Sequence, residues 1–170
     1  MNASLVLTVL GPDRTGLVGD IADLVSAHGG SWQESRMARM AGQFAGILRV
    51  ECPEDQVAAL EADLSGLGAR GLTITIVHDS TESGDDGVSL NLDITGLDEP
   101  GIVKRIASTI AGLGANVEEL HTSLESAPMA GHLLFCTKGK VSLPPDLDAG
   151  RLIEALESVG AGLTVDVRSS

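Results

Sequence analysis

The sequence is poor in aromatic residues, in cysteine and in positive charge. It has no tyrosine, one tryptophan and two phenylalanines, so its core must be built from leucine, valine, isoleucine and alanine. Lysine and arginine number 11 against 24 acidic residues, and the formal net charge of −13 opposes binding to a nucleic-acid backbone. An RNA-recognition sheet would also need aromatic residues on its central strands. We therefore expect no direct nucleic-acid partner.

Long apolar runs and catalytic patterns are missing as well. No stretch approaches the roughly 20 apolar residues of a membrane span, and MNASLVLTVLGPDR lacks the basic region of a signal peptide. Cys52 and Cys136 form no C-x-x-C pair, the four histidines are scattered, and no G-x-x-x-x-G-K-[ST] segment is present. We expect a cytoplasmic protein with no membrane contact, no metal, no cofactor and no catalytic residues.

An internal repeat is the main feature that the sequence does contain. GPDRTGLVGDIA, which starts at Gly11, aligns with GLDEPGIVKRIA, which starts at Gly96, at an offset of 85 residues (96 − 11). Further along, AGQF at Ala41 resembles AGHL at Ala130, which implies extra residues near 125–129 in the second copy. The chain is therefore expected to contain two copies of one structural unit.

Apolar periodicity in each copy indicates the order β-α-β-β-α-β. The strand Leu5–Leu10 is apolar on both faces apart from Thr8, which predicts that the other repeat or another subunit covers it and favours a homo-oligomer. Pro53 is expected to start the second helix, and KGKVSLPPDLD, from Lys138, is expected to be a surface loop. The predicted domains are residues 1–79 and 87–170, joined by a flexible Ser-, Gly- and acid-rich linker at 80–86.

The segments GPDRTGLV, GLDEPGIV and GANVEEL resemble the ACT-domain family of small-molecule-binding modules. More narrowly, LGPDRTGLV and QESRMARMAGQFAGIL are similar to the first half of the glycine cleavage system transcriptional repressor family. The resemblance implies an α+β fold of two tandem ferredoxin-like βαββαβ domains with antiparallel sheets. It also implies amino-acid binding near the first β-α loop, often between paired domains, and control of a partner protein without chemistry of its own.

The resemblance places the ligand site in the two β-α loops. The expected residues are Gly11, Pro12, Asp13, Arg14, Gly16, Leu17 and Val18 in the first copy, and Asp98, Gly101, Ile102 and Val103 in the second. A helix N-terminus favours a carboxylate, and Asp13 or Asp98 can receive an ammonium group or can simply cap its helix. Gly16 and Gly101 either allow close approach of a ligand or pack against the helix.

A second group of candidate residues follows the first helix. Asn116 stands where the G-x-N motif of the family places a ligand-contacting side chain, and Ser31 takes that place in the first copy. Trp32 either walls a ligand pocket or fills the core or an interface.

The function favoured by these features is non-catalytic sensing of a small amino acid, glycine or serine, with action by protein-protein contact on a regulatory protein or an enzyme. One alternative is a dimerisation or scaffold module without a ligand. The other is an acylphosphatase-like enzyme, for which Arg14 supplies part of an anion loop that Glu99 lacks in the second copy.

Overall fold

Each half of the repeat folds into one four-stranded sheet with two α-helices packed against it. The computed structural model describes residues 1–79, 87–127, 131–160 and 162–170, and it separates into two units, Met1–Ser83 and Gly84–Ser170. The first unit contains β1 (Asn2–Pro12), α1 (Leu17–Ala27), β2 (Ser31–Met40), β3 (Gln43–Pro53), α2 (Val57–Gly66) and β4 (Thr73–His78). The second contains β5 (Val88–Leu97), α3 (Ile102–Gly112), β6 (Asn116–Ser126), β7 (Leu133–Leu143), α4 (Ala149–Glu157) and β8 (Thr164–Ser169). The linker predicted at 80–86 lies outside the described residues.

Both sheets have the same strand order. The first runs β2-β3-β1-β4 and the second β6-β7-β5-β8, and all neighbouring strands are antiparallel. This is the ferredoxin-like arrangement, so the predicted α+β class and the tandem βαββαβ order are confirmed.

Each unit has its own hydrophobic core between its sheet and its helices. Successive side chains of a strand point to opposite faces, and Leu5, Leu7 and Val9 of β1 are all buried in the first core. On the opposite face of β1, Thr8 and Leu10 are exposed. Within the first unit one face of this strand is covered by the helices, and cover of the other face by another subunit stays a prediction.

Two boundaries differ from the sequence prediction. Lys138 to Leu143 continue strand β7 instead of forming a loop, because Val141 and Leu143 enter the core and are 1% and 3% exposed. The prediction of a loop rested on Pro144 and Pro145, whereas the alternation of Val141 and Leu143 with polar residues is typical of a strand. Pro53 ends β3 and precedes a 3₁₀ turn at Glu54–Gln56, so helix α2 begins only at Val57.

The strand registers also correct the internal alignment. Phe44 pairs with Gly11 and Phe135 pairs with Gly96, so the two phenylalanines are equivalent and lie 91 residues apart (135 − 44). The AGQF and AGHL segments are 89 residues apart (130 − 41) and are therefore misaligned by two. The connection between β6 and β7 is longer than that between β2 and β3, and such a loop can absorb residues without changing the sheet.

Candidate ligand-binding site

The β1–α1 and β5–α3 loops each enter their helix through a glycine with a left-handed backbone. Gly16 has φ = 84° and Gly101 has φ = 80°, and neither helix has a side-chain cap. The capping role considered for Asp13 and Asp98 is therefore wrong, because the glycine occupies the cap position. A Cβ at Gly16 would meet nothing within 4 Å. The backbone angle, which L residues avoid, is what requires glycine there, not helix packing.

A second pair of glycines fixes the strand end of each loop. A Cβ added at Gly11 would lie 2.6 Å from the carbonyl oxygen of Gly71, and one at Gly96 would lie 2.3 Å from a side-chain carbon of Leu163. A larger residue at Gly11 would collide with backbone, and at Gly96 the side chain of Leu163 would have to move. The close approach at these glycines is thus to the protein itself.

The charged side chains of the first loop are neutralised within the first unit. The carboxylate of Asp13 forms an ion pair with Arg39, in which Oδ2 of Asp13 lies 2.9 Å from Nε of Arg39. Arg14 binds the carboxylate of Asp20, which is also 3.2 Å from Arg70 Nη1. The hydrogen bond from Arg14 lowers the pKa of Asp20, and the charge of Arg70 acts in the same direction.

In the second loop the same ion pair is present with its charges reversed. Glu99 stands at the position of Arg14 and Arg105 at the position of Asp20, since both are offset by 85 residues. Arg105 Nη2 lies 2.8 Å from Glu99 Oε2, and its Nη1 donates to the carbonyl oxygen of Pro100 at 3.1 Å. Each pair ties its loop to the first turns of the following helix.

A cleft of about 480 Å³ opens beside the second loop. Its lining includes Asp98, Glu99, Gly101, Ser123 and Leu124. A second depression of about 360 Å³ lies against Asp98 and Glu99 together with His132 and Leu133. The loop therefore presents its acidic side chains to two adjoining spaces.

Asp98 differs from its counterpart Asp13 in having no hydrogen bond or ion pair to its side chain among the residues that the structure describes. The strand register explains the difference. Arg39 pairs with Phe44 and Leu124 pairs with Phe135, so Leu124 stands where Arg39 stands in the first unit. An apolar side chain has replaced the arginine that neutralises the first aspartate.

The structure brings together one part of the predicted site and separates another. Asp98, Gly101, Ile102 and Val103 all line the cleft. Asn116, Ser31 and Trp32 begin the strands that lead away from the loops.

In the first sheet, Ser31 and Ser4 both pair with Glu51, from opposite sides. Ser31 is therefore level with a residue seven positions before Gly11, which corresponds to about 23 Å along the strand. Trp32 packs against the first core. The two clefts beside the second loop do not include Asn116, and the ligand role of Ser31, Trp32 and Asn116 stays a prediction.

Several cleft residues were not predicted from the sequence. Thr122, Ser123 and Leu124 come from the far end of β6, and Phe135 comes from β7. They lie beside the loop because β6 and β7 pair antiparallel, in a register that depends on the length of the connection between them. Aligning Phe44 with Phe135 in the sequence would have indicated these residues, but the alignment of AGQF with AGHL does not pair the two phenylalanines.

Two kinds of feature are absent from the described residues. Across residues 1–79, 87–127, 131–160 and 162–170, no group of three or more His, Cys, Asp or Glu side chains is placed to hold a metal ion. Over the same ranges no helix has the length and apolar character needed to cross a membrane.

The fold and the sequence together define a class of protein. Residues 3–77 match the sequence profile of the ACT domain, and the second unit repeats the same element order and sheet topology. The first unit therefore matches the ACT-domain family, and the second unit has the same fold.

Comparison with individual proteins narrows this class. The chain is 24% identical over 160 residues to the glycine cleavage system transcriptional repressor of Escherichia coli K12, covering 91% of this chain and 83% of that protein. A structure of a protein of unknown function from Galdieria sulphuraria is 31% identical, with a TM-score of 0.83 over 100% of this chain and 99% of the other. A protein described as a candidate glycine cleavage system transcriptional repressor shares the fold at 15% identity, with a TM-score of 0.72 over 100% and 99% of the two chains. The similarity to these proteins thus extends over nearly the whole chain.

Proposed function

We propose that this protein is a non-catalytic regulator that binds a small amino acid in the cleft of the second unit and transmits the signal by contact with a partner protein. The observation that carries the proposal is the exposed Asp98 carboxylate, which lines a cleft at the start of α3 and lacks the arginine that neutralises Asp13. Glycine and serine are the leading ligands, because of the relationship to the glycine cleavage repressor.

The cleft suits the two charges of a free amino acid. The Asp98 carboxylate can receive the ammonium group as a charge-assisted hydrogen bond. The first turn of α3, whose residues Ile102 and Val103 line the same cleft, favours a carboxylate through the helix dipole. The Ile102 amide itself already donates to the carbonyl oxygen of Glu99 at 3.1 Å. Both ends of a small zwitterion therefore have a complementary group in one space.

The outer face of the first sheet supports action by protein contact. Leu10, Ile47 and Val77 are 53%, 47% and 58% exposed, and all three lie on the face opposite the core. The corresponding face of the second sheet carries polar residues such as Asn91 and Asp93. Exposed apolar side chains on a sheet face favour association, either with a second copy or with a regulated protein, although Thr8, Arg36 and Arg49 lie on the same face. The same face keeps the scaffold alternative open.

The acylphosphatase-like alternative has less support. Its anion loop would rely on the guanidinium of Arg14, which binds Asp20 in this structure, and Glu99 puts a negative charge at the equivalent position. Glu99 therefore cannot supply the guanidinium that such an anion loop needs.

A thermal-shift titration tests the sensor proposal. Ligand at 100 times its dissociation constant adds about 2.7 kcal/mol to the free energy of unfolding. This raises the melting temperature by several degrees, since each kcal/mol corresponds to roughly 2–4 °C in a chain of this size. We expect glycine or serine to give this shift, Asp98→Asn to reduce it strongly, and the matched variant Asp13→Asn to retain it.

If no common amino acid shifts the melting temperature or gives heat of binding at millimolar concentration, the sensor proposal is wrong and the scaffold alternative stands. If Asp13→Asn removes the shift and Asp98→Asn does not, the binding unit has been misassigned.

A further inference from the structure

A narrow apolar slot lies between helix α3 and strands β6 and β7 in the second unit. Ile106, Ile110, Val117 and Leu120 contribute to its lining, and its free volume of about 20 Å³ is close to that of one water-sized group. Thr137 also lines the slot. Its side chain is 1% exposed, and its hydroxyl oxygen has no hydrogen-bond partner within the described part of the chain. Because buried hydroxyls in folded proteins are nearly always paired, this one calls for an explanation.

In the first unit a methionine fills the equivalent space. The strand registers match Gly46 with Thr137 and Met37 with Thr122. A Cβ added at Gly46 would lie 2.6 Å from Met37 Cγ, so the methionine packs directly over the glycine. In the second unit a threonine replaces each residue. The side chain on β6 is then too short to close the space, and a hydroxyl is buried at its base.

The slot is continuous with the candidate cleft. Val103, Thr122 and Phe135 line both spaces. An amino acid held by its charged groups near Asp98 can therefore direct a short side chain into the slot. A water molecule is a poorer occupant, because a buried water typically makes about three hydrogen bonds and the polar side chains lining the slot are Thr122 and Thr137.

We propose that this slot is the side-chain pocket of the amino-acid site described above, and that it selects a small amino acid bearing a hydroxyl on its β-carbon. The inference rests on the proposed function. Glycine would leave the slot empty, alanine would leave the Thr137 hydroxyl unpaired, and the side chain of leucine exceeds the available volume. The hydroxyl of serine can both donate to and accept from that of Thr137, which makes Thr137 the specificity-determining residue.

Calorimetric titration of the full chain with serine, alanine and glycine tests this selectivity. We expect the wild type to prefer serine over alanine by about tenfold, the contribution of one net hydrogen bond. Thr137→Val keeps the shape of the side chain and should abolish that preference while alanine binding is retained. An unchanged preference would overturn the pocket assignment and leave the sensor proposal intact. If the wild type binds no amino acid, both are wrong.

The ligand-free protein provides an independent readout. Thr137→Val should not lower the melting temperature, because it removes an unpaired buried hydroxyl and keeps the packing. Thr122→Met should close the slot as Met37 does in the first unit, and so abolish serine binding in a folded protein. A marked drop in the melting temperature of ligand-free Thr137→Val would mean that the hydroxyl has a partner inside the protein, and retained serine binding by Thr122→Met would place the side chain elsewhere. Either result would overturn the proposal.

Discussion

At the scale of single residues, the two units present the same aspartate in different ionic surroundings. Arg39 lies 2.9 Å from Asp13, whereas Leu124 occupies the corresponding position beside Asp98. An arginine paired to the first aspartate competes directly with a ligand ammonium group for the same oxygen atoms. The aspartate of the second unit is therefore the one that can receive a ligand ammonium group.

Leu124→Arg is expected to weaken amino-acid binding by about tenfold or more, since the new guanidinium would pair with Asp98 through a charge-assisted hydrogen bond. Isothermal titration with serine measures the loss. Val88→Arg adds the same charge at the opposite end of β5 and serves as the control, because Val88 is exposed and remote from the loop. Equal affinities of the two variants would contradict the competition between arginine and ligand.

At the scale of secondary-structure elements, His28 connects the end of α1 with α2. Its Nε2 lies 2.8 Å from Asp63 Oδ2 and its Nδ1 lies 3.4 Å from Gln56 Oε1. The hydrogen bond to Asp63 raises the pKa of His28 above its usual value, an effect that outweighs desolvation. The interaction therefore stabilises the fold most when the imidazole is protonated.

The raised pKa of His28 determines how the free energy of unfolding changes with pH. The stabilisation is fully present below the unfolded-state pKa of about 6.5 and is lost as the pH rises through the higher folded-state pKa. Urea unfolding of the wild type should show a larger fall in stability from pH 6 to pH 8 than that of Asp63→Asn, which keeps the shape and removes the charge. Parallel pH profiles would exclude this contribution of His28.

The apolar periodicity of the sequence predicted most of the helices and strands, but it did not predict which residues of different strands contact one another. The helical spacing of Ile102, Ile106 and Ile110 is local to the sequence, and all three are buried as that spacing requires. The register of β7 depends on how many residues the preceding connection absorbs, which no local pattern encodes. For the same reason the Arg39–Asp13 pair was not predicted: Arg39 resembled an ordinary solvated strand residue until the sheet placed it beside the loop.

At the scale of the whole molecule, we expect association through the outer face of the first sheet. Ile47→Lys replaces one of the exposed apolar side chains of that face with a charge and should lower the molar mass measured by light scattering after gel filtration. Asn91→Lys, on the polar outer face of the second sheet, is the matched control and should leave the mass unchanged. A monomeric wild type would contradict this prediction.

In each unit the ion pair joins one residue of the loop to one residue of the helix, so loop and helix can be exchanged between the units only together, as one cassette. If the loop 96–101 were transplanted alone into the first unit, Glu99 would face Asp20, and two carboxylates would meet where a salt bridge now stands. The reverse transplant would set Arg14 against Arg105. An exchange that separates the two partners of either pair would therefore cost stability, whereas an exchange of the whole cassette would keep its salt bridge.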